Sequence, residues 1–132
     1  MDVNQPNVVA EVTAAFARYE QALTTNDLAV LDELFWADPR TVRYGIGEAL
    51  YGIEAIRAFR GARPAQGLAR TLERTVITAF GQDFATASTL FSRASVPGRL
   101  GRQQQSWVRM PPGWRIVAAH VSLVPLSGTG TG

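Results

Sequence analysis

The spacing of apolar residues changes period partway along the chain. Val8/Val9, Val12, Phe16, Tyr19 and Leu23 recur at three- and four-residue steps, which predicts an amphipathic helix over Val8 to Thr24. Pro6 suits its first turn. Thr25-Asn26-Asp27 interrupts the pattern, and Asn26 or Asp27 can cap a second helix with Leu28, Leu31, Leu34 and Phe35 as its stripe. Asp38-Pro39 ends it. Thr41 to Ile46 reads as a short strand, with Gly45 and Gly47 bracketing a turn and Leu50-Tyr51 pairing briefly afterwards. A third helix is expected from Ile53 to Arg60, with Ile53, Ile56 and Phe59/Arg60 on one side and Gly61 as its stop. Beyond the Pro64/Gly67 loop the period becomes two. Strands are expected over Leu68 to Phe80, Phe84 to Ser95, Arg102 to Met110 and Trp114 to Val124, separated by Gly-, Pro- and Asp-bearing turns.

Helices followed by four long strands with short connections make an α+β domain with an antiparallel meander. The helices cover one face of the sheet, and a strongly curved sheet closed in this way leaves a conical pocket. Residues 1–126 form one domain in this reading, and 127–132, rich in Gly, Ser and Thr, form a flexible tail. Apolar residues on the other sheet face suggest a homodimer packed sheet to sheet.

Composition mainly excludes. The 132 residues are 46% hydrophobic, as in a globular domain, and no run of 18 apolar residues is present. The first residues do not resemble a secretory signal, so the expected location is cytoplasmic and no membrane partner is expected. All 13 basic residues are arginine, spread among acids from Arg18 to Arg115, which is not the clustered face of a nucleic-acid binder. The absence of lysine removes Schiff-base chemistry. One histidine and no cysteine cannot build the usual zinc site within one chain, so neither metal nor cofactor is expected. No nucleotide-binding or nucleophile-elbow motif occurs.

Seven stretches carry a resemblance over about Val3 to Leu126: Glu11 to Glu20, Asp32 to Trp36, Arg43 to Glu48, Tyr51 to Arg60, Phe80 to Ala85, Gly101 to Arg109 and Gly113 to Ser122. In order and spacing they resemble the AtzH-like proteins, which include the HpxZ-like proteins of oxalurate catabolism, within the SnoaL-like, nuclear-transport-factor-two-like superfamily of cystatin-like fold. The resemblance implies a small catabolic enzyme of nitrogen metabolism. AtzH-like proteins convert 1,3-dicarboxyurea to allophanate by decarboxylating amide hydrolysis in the cyanuric acid pathway. The tyrosine of the first helix and the arginine of the first strand, needed for catalysis in that family, fall here on Tyr19 and Arg43. A functional link to an amidase is a further expectation.

Each candidate also has a plainer reading. Tyr19 lies on an apolar stripe, where an aromatic is ordinarily core. Arg43 by itself reads as a surface cation, but turned inward its planar fork suits a carboxylate. His120, the sole histidine, is expected to share a face with Trp114, Ile116, Ala118 and Ser122, either in the pocket or at the sheet surface. His120 and Ser122 are carried as substrate-binding candidates. Gln105 shares a face with Gln103 and Trp107, and a mid-strand glutamine there suggests a ligand contact. Arg70 is a second candidate cation, expected on the same face as Arg74. Trp36 is a candidate pocket wall, although core packing is its ordinary role.

Two chemical routes fit a phenol beside a guanidinium. Tyr19 acts as a base toward an attacking water, or donates its proton to the carbamate nitrogen, after which carbon dioxide leaves unaided. A non-catalytic accessory domain assisting an amidase is one alternative. An isomerase or dehydratase with His120 and Asp32 or Glu48 in its pocket is another.

Overall fold

Pro6, whose fixed φ suits the first helical turn, opens helix α1 (Pro6–Thr24) two residues before the periodicity suggested. Val8, Val12, Phe16, Tyr19, Ala22 and Leu23 form its buried stripe. Asp27 caps α2 (Leu28–Leu34), its carboxylate accepting the Val30 N–H at 3.2 Å. Asn26 takes a left-handed φ of 54° at the break between the helices. Phe35 leaves α2 in extended conformation and forms a parallel bridge with Ile116. Strands β1 (Val42–Tyr44) and β2 (Ala49–Tyr51) make a short hairpin, followed by α3 (Ile53–Ala62). Gly61 does not stop α3. The helix continues through it and ends where Arg63 turns extended.

The remaining chain forms β3 (Thr71–Phe80), β4 (Phe84–Ser92), β5 (Arg99–Met110) and β6 (Gly113–Pro125). The computed structural model describes residues 1–126, so the tail expected at 127–132 lies outside the described residues. The curved sheet runs β2-β1-β6-β5-β4-β3, with β1 parallel to β6 and every other neighbour antiparallel. The expected α+β architecture, a meander covered by helices, is thus observed. Among the described residues no helix is long and apolar enough to cross a membrane.

Two β-bulges decide which side chains face the helices. Trp107 pairs with Ile116 while Ser106 pairs with Ala118, leaving Val117 without a partner. A one-residue bulge inverts the alternation beyond it. Trp114 and Ile116 face the core, but past the bulge the inward residues are Ala119 and Val121, opposite Gln105 and Gln103. Ala118, His120 and Ser122 turn to the outer face, so the single face expected for Trp114 through Ser122 is divided. A second bulge lies between Glu73 and Val76, where Arg74 takes a φ of 54°. It places Arg70 inward and Arg74 outward, although a plain four-residue spacing put them together.

The core lies between the inner sheet face and the helices, around Val8, Val12, Phe16, Leu31, Leu34, Phe35, Ile56, Trp107 and Ile116. Glu11 ties α1 to the sheet. Its Oε1 accepts from Trp114 Nε1 at 2.9 Å and forms an ion pair with Arg109 Nη2 at 3.0 Å.

Candidate active site

Beyond Phe16 the inner face is not filled. A cavity of about 140 Å3 remains there, lined by residues from α1, the β1–β2 hairpin, α3 and the long strands. Tyr19 and Leu23 reach it because they continue the stripe of α1 one and two turns past Phe16. The Tyr19 ring lies tilted against Phe35 with centroids 6.2 Å apart. Arg43 reaches it because β1 pairs in register with β6, which sets Arg43 beside inward-facing Ala119 and Tyr44 beside outward-facing His120. Leu68, Val121 and Ile46 supply apolar wall.

Arg43 is only 8% exposed, and its guanidinium lies 5.3 Å from the Phe59 ring centroid. Its Nη1 donates to Glu48 Oε2 at 2.8 Å, and Glu48 Oε1 accepts the Gly47 N–H at 3.1 Å. Glycine at position 45 permits this closure, because a Cβ there would overlap the Glu48 carboxylate. Arg70 is held still more firmly. Its Nε and Nη2 donate to the two Glu20 oxygens at 2.8 and 2.6 Å, and Nη2 also donates to Gln103 Oε1 at 3.0 Å. Phe91 lies beneath both Arg70 and Arg93, at 4.5 and 5.1 Å from its centroid. Gly101 opposite leaves room for that ring.

Around this framework lie buried donors without acceptors: Nε and Nη2 of Arg63, Nε of Arg93, Nε2 of Gln103 and all three guanidinium nitrogens of Arg60. Gln105 Nε2 is a further one. Arg60 is 2% exposed and stacks on Phe35 at 4.3 Å. Burial, opposed in part by attraction to Tyr19 and reinforced by Arg43 and Arg63, pulls its pKa down to about 10. Burial also lowers Arg63 and Arg93, with Arg43 and Arg70 respectively as the next cause. Buried polar atoms are ordinarily paired, and a buried unpaired donor costs free energy. Among the described residues, the only acceptor of the unpartnered buried side-chain atoms is Asn26 Oδ1, at the helix break. What the site lacks is therefore acceptors and negative charge. Among the described residues, no three His, Cys, Asp or Glu side chains converge as metal ligands.

Of the candidates read from the sequence, Tyr19, Arg43 and Arg70 line this cavity together. Gln105 does not line it. It lies buried behind, where its Oε1 accepts from Trp107 Nε1 at 3.1 Å. His120 and Ser122 are on the opposite face, in a wider groove of about 510 Å3 that also touches Arg74 and Arg102. There Arg102 Nε donates to Ser122 Oγ and Gln104 Nε2 to Ser88 Oγ, both at 3.2 Å. Trp36 stands outside both, under the Arg40 guanidinium at 4.9 Å. Sequence reasoning missed Arg60, Arg63, Arg93 and Glu20. For Arg60 a signal was present: an arginine on the Ile53/Ile56 side of α3, where an apolar residue would be expected.

The AtzH-like family model matches residues 1–127, and the chain belongs to that family. No curated protein matches the chain. Among solved structures, a protein of unknown function from the DUF3225 family of Pectobacterium atrosepticum is 67% identical, covering 93% of this chain and 95% of that one, with a TM-score of 0.91. A cystatin-like fold protein from Burkholderia xenovorans is 54% identical over 96% of this chain and 98% of its own, also with a TM-score of 0.91. An NTF2-like superfamily protein from Salmonella enterica is 27% identical over 96% and 97%, with a TM-score of 0.70.

Proposed function

Starting from membership of the AtzH-like family, we propose that the cavity is the active site of a decarboxylating amidohydrolase. Its substrate is 1,3-dicarboxyurea or a closely related N-carboxylated urea, and its product is allophanate. The observation that carries this reading is the shell of buried, acceptor-seeking donors around the Tyr19 ring. A small, planar, oxygen-rich anion answers that shell.

Arg43 binds a substrate carboxylate through the part of its fork that Glu48 leaves open. Tyr19 then donates its hydroxyl proton to the carbamate nitrogen. The bond between that nitrogen and the carboxylate carbon breaks, its electron pair stays on nitrogen, and carbon dioxide departs. Solvent returns a proton to the phenolate, and hydration of carbon dioxide to bicarbonate completes the net hydrolysis. This route asks for no base beside an attacking water. Bicarbonate appearing ahead of free carbon dioxide would exclude it, because attack by water on the carboxyl carbon releases bicarbonate directly.

The accessory-domain alternative differs in one readout, turnover without a partner. The isomerase alternative is weakened because His120 lies on the other face and Glu48 is engaged by Arg43. Wild type, Tyr19→Phe and Arg43→Ala are compared on enzymatically generated 1,3-dicarboxyurea, with folding verified. The expected result is a loss of about 100-fold or more in each variant, as for a removed general acid or charge partner. A wild-type rate equal to spontaneous decay refutes the reading. Self-association belongs to the same reading, through the outer face that exposes Val76, Phe84, Tyr44 and Tyr51, and sedimentation equilibrium checks it.

A further inference from the structure

The four arginines that line the cavity are not equivalent. Arg43 and Arg70 each hold a carboxylate, Glu48 at 2.8 Å and Glu20 at 2.6 Å. Arg63 and Arg93 have no acidic partner within 4.0 Å among the described residues, yet both line the same cavity and carry buried nitrogens without acceptors. Both are fixed at the ends of regular elements. Arg63 follows α3 with its N–H on the Arg60 carbonyl at 3.3 Å, and Arg93 follows β4 with its carbonyl accepting from Val96 at 3.1 Å. Arg93 is further positioned by the Phe91 ring it shares with Arg70.

We infer that Arg63 and Arg93 form a second carboxylate subsite, separate from Arg43, that makes the cavity select doubly charged ligands over singly charged ones. The inference rests on the active-site reading for its location, though not for the reaction. A monoanion held by Arg43 leaves two half-buried cations uncompensated. A ligand with carboxylates at both ends compensates them and fills their vacant donor positions. Discrimination is then by number of charges, because the empty site is short of more negative charge than one carboxylate supplies. Arg63 and Arg93 act on specificity and do not touch the bond that breaks.

Malonate and acetate are suitable probes, titrated calorimetrically into the full chain at constant ionic strength. Wild type is expected to bind malonate at least about tenfold more tightly than acetate, in the range of a desolvated charge pair. Arg63→Gln and Arg93→Gln should each lower malonate affinity by about tenfold and acetate affinity by less than about threefold. Arg63→Met and Arg93→Met, which keep an apolar stem, answer the same question if a glutamine variant folds poorly. A double variant that retains the wild-type malonate-to-acetate ratio, or a wild type without preference, overturns the inference. Turnover of 1,3-dicarboxyurea on the same proteins separates the two claims. Discrimination without turnover refutes the proposed reaction and leaves the subsite standing. Turnover with an unchanged ratio in the double variant refutes the subsite alone.

Discussion

The two halves of helix α1 face unlike surroundings. In the first half Val8, Val12 and Phe16 are buried, and the one acid, Glu11, is matched by Trp114 and Arg109. In the second half Tyr19 and Leu23 look into a cavity, and the acid Glu20 is taken by Arg70 while Arg60, Arg63 and Arg93 remain short of acceptors. The same amphipathic stripe thus serves a closed core at one end and an open, cation-rich site at the other. The closed end stabilises the fold. On the proposed reading, the open end lowers stability in the unliganded protein, a cost that anion binding would recover.

This contrast breaks most visibly at the closed end. Trp107 is fully buried and is the donor that holds Gln105. Trp107→Ala should cost about 3–5 kcal/mol, from the cavity it opens and the contacts it removes. Chemical denaturation would measure it, and a loss under about 1 kcal/mol would mean this end is less closely packed than described.

A substitution at the open end should have the opposite sign. Arg60 is buried with no partner, and burial holds its pKa near 10, below the ordinary guanidinium value. The unfolded chain therefore holds this proton more readily than the folded one. The resulting penalty is fully present below about pH 10 and declines as pH rises above it. Arg60→Met keeps much of the side-chain volume on Phe35 and removes the charge. At neutral pH the unliganded variant should gain about 1–3 kcal/mol while turnover falls. Loss of stability instead would show that Arg60 is paired in solution, and the contrast between the two halves would fail.

The elements that follow a single period were legible from the sequence. The stripe of α1, the capping acid before α2 and the alternation of β4 all depend on nearest neighbours along the chain. Tyr19 and Arg43 came from the family resemblance, and the structure places both on one cavity. Facing was less legible, because a bulge is set by the partner strand. Nothing local to Val117 announces that it will lack a pair, yet that one residue turns His120 and Ser122 away from the helices. Arg63 and Arg93 were hidden for a related reason. Arg63 lies just past the end of α3, where no periodicity assigns a direction, and Arg93 was expected inside a strand reaching Ser95 although β4 ends at Ser92; only the fold as a whole brings positions 63 and 93 to one cavity.

The smallest expected effect tests that facing directly. His120 is exposed on the outer face, with its ring edge-on to Tyr44 at 6.3 Å. The groove around it is larger than the cavity, so size alone would favour it as the site. Four of its polar side chains, however, pair with one another, Arg102 with Ser122 and Gln104 with Ser88, while Arg60, Arg63 and Arg93 near Tyr19 keep buried nitrogens without acceptors. His120→Gln keeps a polar side chain of similar reach and removes the only imidazole. Turnover should stay within about twofold and stability within about 0.5 kcal/mol, as for an exposed substitution away from the site. A fall of tenfold or more at unchanged stability would place the chemistry on the outer face. The unpaired arginines would then be a feature of the core, and histidine-based isomerase chemistry would become the better account of the fold.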